Sequence, residues 1–427
     1  MKRIFILIMF NYCCSQASGL ALYGVGEKNV NRDVASISLG NSTFFSGNKY
    51  GISISSTSSM WKSALTRFTI LSGINYIKTT SFPQQIQHNL MHFSILLPVG
   101  NKKVFGFGLK PAFRTNSIEI KEDYQYFGAN IVTSTPIAFK KNYYINGGIS
   151  EMFFQYSFKT SNRFSVGLQY SFLFGNQSID EERYTYNIEI DSVDYNGTMI
   201  DIIDDGNDTY YIYAGNGEVT YIQNSHQFSG YQLISEGRYN LEKHEYVCRL
   251  AISGRMKVKT TKTQNSDNLV YSNDLFNTSV VKFSEFSLGY HYKYSKNSGL
   301  IMESQINYPI NIPKQVALFN TLPPHEYSIH LGNYFQFVNN DYVFWNNLNI
   351  RSGGYVKRFN FSDQSFLDYG LTFGLGIEYL ANTQSIDIAI RVGERESYIL
   401  NNEKENYISL HFGITTGEKW FMKRRRK

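Results

Sequence analysis

Apolar and polar residues take turns along most of this chain. In Phe164-Ser165-Val166-Gly167-Leu168-Gln169-Tyr170-Ser171-Phe172 large apolar side chains alternate with small or polar ones. Ile386-Asp387-Ile388-Ala389-Ile390-Arg391-Val392-Gly393 sets four aliphatics against Asp, Ala, Arg and Gly. The runs Phe286–Tyr294 and Ile408–Ile414 repeat the scheme. A period of two is the signature of a strand with two different faces. No convincing helical period follows residue 65. The alternation predicts fourteen strands, at 65–71, 89–97, 104–113, 146–158, 164–174, 227–241, 246–258, 282–294, 299–308, 326–337, 342–354, 367–379, 385–393 and 407–415.

The intervals between these strands alternate long and short without exception. Short ones are turn-rich, as in Lys159-Thr160-Ser161-Asn162-Arg163, Ser295-Lys296-Asn297-Ser298 and Val338-Asn339-Asn340-Asp341. Long loops at one end and tight turns at the other are how an outer-membrane barrel is built. A soluble multi-sheet protein has no reason to segregate its loops. The expected fold class is therefore all-β, a transmembrane antiparallel β-barrel of fourteen strands. An even count brings both ends of the sheet to one side, read as the periplasm.

Composition sharpens this reading. There are 33 Tyr, 32 Phe and 3 Trp, while charged residues make up only 18%, against about 25% in ordinary soluble proteins. A barrel in lipid must close on itself to satisfy its backbone, with an apolar outer face and aromatic girdles. Its inner face stays polar, which keeps the mean hydropathy at −0.30. The longest purely apolar run, Ile4–Phe10, is far shorter than the about 20 residues of a membrane-spanning helix.

The chain divides into four parts. Lys2 and Arg3, the apolar Ile4–Phe10 and Ser15-Gln16-Ala17 have the form of an export signal over 1–17. Cleavage there leaves Cys248 as the single cysteine, so no intrachain disulfide is expected. Residues 18–64 read as an N-terminal plug, with a periplasmic tail or a short strand at Tyr50–Ser56 as the other options. Residues 65–415 are the barrel and 416–427 a basic periplasmic tail. The net charge of +6 is concentrated in Lys423-Arg424-Arg425-Arg426-Lys427, a solvated end rather than a nucleic-acid site.

Several passages resemble the outer-membrane fatty-acid and hydrocarbon transporter family (FadL/TodX-like), especially divergent Bacteroidota-type members. They are Leu96–Lys102 with Phe105–Pro111, Gly147–Glu151 leading into Phe164–Gly175, and the close Glu405–Tyr407, Phe412–Ile414 and Gly417–Arg424. The resemblance implies a 14-stranded barrel, an N-terminal plug and passive uptake of hydrophobic small molecules. One departure stands out: Asn41 is followed by Ser42 and Thr43, where fatty-acid transporters carry Asn-Pro-Ala. Architecture is carried over, the ligand is not.

Candidate chemistry is sparse. Polar residues on strand faces, Glu236, Arg238, His291, Glu378, Asp387, Arg391 and His411, are expected to line the lumen and the ligand path. Glu236, Arg238, Glu378, Asp387 and Arg391 would pair across strands. The acidic stretch Gly175–His226 is expected to be a long outer loop, solvated and mobile. Within it Asp201, Asp204 and Asp205 are weak calcium candidates, because Ile203 and Ile212 occupy ligand positions. His88 and His92 have zinc-like spacing without the Glu a zinc protease needs, and a strand would hold them roughly 13 Å apart. There is no G-x-S-x-G. No catalytic residue, resident metal or cofactor is expected. Expected partners are a hydrophobic small molecule, outer-membrane lipid and lipopolysaccharide, with no nucleic acid, for a monomer in the cell outer membrane. A secretion-associated barrel that binds exported proteins is the second reading, and a barrel enzyme the third.

Overall fold

The structure is a computed structural model. It describes residues 27–28, 33–48, 51–78, 85–114, 118–127, 137–191, 198–204, 209–254, 256–266, 269–280, 282–310, 325–337, 347–360, 365–379, 384–396 and 404–418. The expected leader at 1–17 lies outside them, as do residues 419–427 of the basic tail.

Among the described residues fourteen antiparallel strands close into a ring. They are β1 (Thr66–Lys78), β2 (Gln85–Pro98), β3 (Lys103–Arg114), β4 (Ile137–Lys159), β5 (Phe164–Asp191), β6 (Thr209–Asn240) and β7 (His244–Ser253). The ring continues with β8 (Lys282–Lys293), β9 (Ser298–Ile310), β10 (His325–Gln336), β11 (Leu348–Asn360), β12 (Ser365–Tyr379), β13 (Gln384–Glu396) and β14 (Lys404–Glu418). Each pairs with its neighbours in sequence, and β14 returns to β1 in a register running from Asn406↔Lys78 to Glu418↔Thr66. The expected fourteen strands are all present, and closure leaves the ring without an edge.

Side-chain alternation decides which face is which. On β13, Ile388 and Ile390 are each 43% exposed while Ala389 between them is 0% exposed. β7, β10 and β14 alternate in the same way along their whole length. The outward face carries an aliphatic band, including Leu250, Ile329, Leu371, Ile388 and Leu410, all exposed. Exposed aromatics flank it, with Tyr308, Tyr327 and Tyr369 toward the long connections and Tyr246, Tyr294 and Phe335 toward the tight turns. An apolar waist between aromatic belts is the surface a bilayer solvates.

Three sequence expectations are corrected. The stretch Gly175–His226 is not one loop, because β5 runs on to Asp191 and β6 begins at Thr209. The two strands pair from Phe164↔Tyr239 to Asp191↔Tyr211. Acidic residues hid a β-branched and aromatic pattern there that suits strands. Expected strand 246–258 ends at Ser253, and Met256–Ser266 with Leu269–Val280 forms a hairpin on the far half of β6. Expected strand 342–354 lies at Leu348–Asn360, since alternation resumes beyond the Gly353-Gly354 pair. Additional strands Ile118–Phe127 and Thr198–Asp204 pair with β4 and β6. Together with the hairpin they raise one side of the sheet beyond the ring, at the end of the long connections.

Residues 33–48 and 51–63, ahead of β1, bond to inward-facing side chains of the ring. Asp33 caps the short helix α1 (Val34–Ile37), accepting the Ser36 N–H at 2.5 Å. Gly40 and Asn41 turn the chain through positive φ, and Thr57–Lys62 forms a 3-10 turn. Serines 36, 38, 42, 46, 53, 55, 56, 58 and 59 are all buried. Of the Tyr50–Ser56 strand option, residues 51–56 form no strand and Tyr50 lies outside the described residues. Small hydroxyl side chains suit a segment that must bond to itself and to a polar wall within a narrow space.

Candidate functional site

Because the inner face of each strand takes every second residue, charges two apart in sequence stack along the lumen wall. Glu236 and Arg238 on β6, Glu245 and Arg249 on β7, and His291 on β8 share one buried cluster. Arg249 donates to Glu236 from Nε at 3.0 Å and from Nη2 at 2.8 Å. Arg238 pairs with Glu245, which lies 3.1 Å from His291 Nδ1. His291 Nε2 is 2.9 Å from the Tyr334 hydroxyl.

The cluster's remaining valences go to the N-terminal segment. Glu236 accepts the Ser58 N–H at 3.1 Å and hydroxyls from Ser56 and Ser58. Arg238 donates to the Phe44 carbonyl at 2.9 Å, to Ser56 Oγ at 2.6 Å and to Ser58 Oγ at 3.0 Å. Arg249 reaches the Ser55 carbonyl. Buried charges are tolerated only when paired and hydrogen-bonded, and here half the partners come from outside the wall. Lys62 lies 3.6 Å from Glu245 and donates to the Gly51 carbonyl at 3.3 Å. Burial pulls its pKa down to about 8, an effect the Glu245 carboxylate opposes. Burial likewise raises the Asp33 carboxyl above its ordinary value, against the hydrogen bonds from Ser36 and Ser53.

The other expected lumen residues lie on the opposite wall. Asp387 accepts from Arg351 at 2.8 Å and from Ser385 at 3.2 Å. Glu378 accepts from Asn349 at 3.1 Å. Arg391 donates to Ser409 at 3.2 Å and lies over the Tyr407 ring. His411 has Nδ1 3.1 Å from Met91 Sδ. Thus Glu236, Arg238 and His291 come together, whereas Glu378, Asp387, Arg391 and His411 each find separate partners. Among the expected cross-strand pairings, Glu236 meets Arg249 and Asp387 meets Arg351, neither of which had been singled out. Also missed were Glu245, Glu303, His330, and the group Asp368, Arg395 and Tyr407. In that group Asp368 accepts from Arg395 at 2.9 Å and from Tyr407 at 2.5 Å. Strand parity would have found the last three, since Asp368 shares a face with Glu378, Arg395 with Asp387 and Tyr407 with His411. Glu245, Glu303 and His330 stand on strands from which no residue had been chosen.

Backbone contacts fix the segment against β9–β12. Glu303 accepts the N–H groups of Thr43 at 2.6 Å and Phe44 at 3.3 Å. His330 Nδ1 lies 2.8 Å from the Gly40 carbonyl oxygen. Gln336 donates to the Gly47 carbonyl at 2.7 Å. The Gly40 N–H donates to Thr372 Oγ1 at 2.8 Å. At Gly40, φ is +69° and an added Cβ would sit 2.1 Å from the Leu331 carbonyl oxygen, so only glycine fits. Phe44 and Phe45 join Leu39, Val247, Ile301 and Tyr334 in an apolar cluster beside these bonds.

A second apolar cluster occupies the inner wall toward the long connections, formed by Ala112, Phe113, Ile149, Leu173, Phe228, Met256 and Val258. Two of the three weak calcium candidates stand on one added strand. Asp201 and Asp204 lie in the strand Thr198–Asp204, their backbones opposite Ile212 and Thr209, and Asp205 lies outside the described residues. Among the described residues, no group of three His, Cys, Asp or Glu side chains is placed to hold a metal ion. His88 and His92 stand on one strand, as expected. His88 Nε2 is 3.1 Å from Ser72 Oγ, and His92 is buried beside the Phe153 ring.

A family model described as BamG matches residues 1–427. The chain belongs to the BamG family. No curated protein matches it. Among solved structures this BamG-family barrel resembles the CymD monoaromatic hydrocarbon channel, with a TM-score of 0.52 at 10% identity, covering 92% of this chain and 99% of that one. It also resembles the Pseudomonas putida toluene transporter TodX, with a TM-score of 0.50 at 11% identity, covering 93% and 100%. These likenesses establish a shared barrel fold, the fold expected from the FadL/TodX-like resemblance.

Proposed function

We propose that this BamG-family barrel sits in the cell outer membrane, both ends of its sheet toward the periplasm, and passes hydrophobic small molecules without an enzymatic step. The observation that carries the reading is the pair of apolar surfaces on one wall. The outward band is an aliphatic belt between aromatic girdles, suited to lipid. The inward cluster around Ile149, Leu173 and Phe228 is buried and close-packed, and an apolar molecule that parts these side chains leaves water before it meets the polar belt. Residues 33–62 act as the plug. Their bonds to Glu236, Arg238, Arg249, Glu303 and His330 hold them across the lumen, so that ions find no ready path. The chain works as a monomer, and its likeness to the CymD and TodX barrels is consistent with this role.

The test is uptake of a monoaromatic or long-chain hydrophobic probe by cells expressing the protein, with conductance of the purified barrel measured in planar bilayers. Intact protein should take up the probe and conduct ions poorly. Phe228→Asp should lower uptake at unchanged barrel content, and deletion of residues 33–62 should open large ion conductance. Porin-like conductance of the intact chain would replace this reading with a general diffusion pore.

A further inference from the structure

The outward wall over β6–β9 is not evenly covered. In the row where Gly237 opposes Cys248, Cys248 opposes Leu288 and Leu288 opposes Ser304, three of four residues are small. The result is a trough of about 710 Å³ in the lipid-facing surface, walled on the turn side by Phe164, Tyr246 and Tyr290. A second recess of about 680 Å³ lies at the adjacent tight turns, lined by Asn162, Arg163, Lys243 and His244, with Glu242 the acid among its lining residues. The two recesses meet at consecutive residues, Arg163 with Phe164 and Asn240 with Tyr239. From Gly237 to Leu241 the strand advances roughly 13 Å, the span from an acyl chain to a headgroup.

Charge decides what such a two-part groove takes. Arg163 and Lys243 are exposed on neighbouring turns and enter no ion pair among the described residues. Lys293, also lining the polar recess, is already engaged by Glu245 at 3.5 Å. Two free cations above a row of tyrosines, with an apolar trough beneath, are complementary to a phosphate that carries acyl chains. We infer that this groove binds an anionic phospholipid of the periplasmic leaflet, its phosphate at Arg163 and Lys243 and one acyl chain lying over Gly237, Cys248 and Ser304. The inference rests on the outer-membrane placement proposed above. That placement puts the tight turns in the phospholipid leaflet, away from lipopolysaccharide.

The test uses the full chain purified in detergent, mixed with equal amounts of phosphatidylglycerol and phosphatidylcholine of matched acyl chains, and read by native mass spectrometry. The wild type should retain phosphatidylglycerol preferentially. The Arg163→Gln/Lys243→Gln variant should lose that preference, by about fivefold for each cation removed. Gly237→Trp, which fills the trough from the lipid side, should reduce retention of both lipids. Heat-modifiable migration of each variant confirms a folded barrel. Equal retention of the two lipids by the wild type overturns the inference, as does undiminished preference in the double variant. Retention of glycerol phosphate as strong as that of the lipid overturns the role of the trough. Sedimentation of the expressed protein away from the outer-membrane fraction would overturn the placement alone.

Discussion

Glu303, on the wall of the barrel, accepts the backbone N–H of Thr43 at 2.6 Å, across 260 residues of sequence. One oxygen of a buried carboxylate is thereby bonded by backbone that does not belong to the sheet. Wall and inner segment supply hydrogen bonds to one another that neither would have alone.

Removing that carboxylate should loosen the segment before it loosens the ring. Hydrogen bonds to a charged group contribute about 1.5–3 kcal/mol. Glu303→Ala should therefore raise amide hydrogen exchange at Thr43 and Phe44 by roughly 10- to 100-fold. Exchange in β9 itself should change little, and equal acceleration in both would mean that Glu303 stabilises the sheet directly.

Gly167 offers a steric version of the same experiment. A Cβ there would lie 2.4 Å from the Thr57 carbonyl carbon and 2.5 Å from the Ser58 nitrogen. Those atoms belong to the 3-10 turn, not to the wall. Gly167→Val should displace that turn and expose it to protease while the barrel keeps its heat-modifiable fold. Unchanged protection of 57–62 would show that the wall bends instead.

Neighbouring residues on β13 should fail in different ways. Ile388 faces outward, and arginine at mid-membrane costs roughly 2–4 kcal/mol, so Ile388→Arg should lower barrel stability in urea titration from lipid vesicles. Ala389 packs against Val34, Ile37 and Leu71. Ala389→Arg should expel α1 and increase ion conductance, with less effect on the ring. The reverse pattern would mean that β13 is shifted by one residue.

Lys62 gives the docked segment a dependence on pH. Docked, its amine titrates near 8; released, it returns to the ordinary lysine value of 10.5. Between those values the released form binds more protons, so docking strengthens as pH rises from about 8 to about 10.5, by roughly 2–3 kcal/mol. Below pH 8 the penalty of the buried ammonium is fully present. Protease protection of residues 51–62 should rise across that window in the wild type and stay flat in Lys62→Met. A parallel rise in both proteins would assign the effect to another group.

Local alternation carried most of the fold because a strand with one face in lipid and one in a polar lumen must announce itself every second residue. Ile388, Ala389 and Ile390 suffice to orient β13. Where strands run past the outward aliphatic band the contrast fades, so Gly175–Asp191 and Thr209–His226 looked like acidic loop. The lumen pairs were less legible. Parity shows that Asp387 faces inward, but only the register between β11, β12 and β13 shows that Arg351 reaches it. The inner segment was least legible of all: its serines have no period, and their partners lie up to 334 residues away.

The register that joins β14 to β1 also constrains the order of assembly. Thr66, the first residue of the ring, pairs with Glu418, the last, so the seam cannot form until the final strand has been made. Contacts so distant in sequence form late because loop closure must precede any gain from them. The segment bonded to the inner wall is attached just before Thr66 and bonds to strands from β4 to β12. Its docking therefore belongs to the interval while the sheet is still an open, curling ribbon, and the last zipper of hydrogen bonds locks it in.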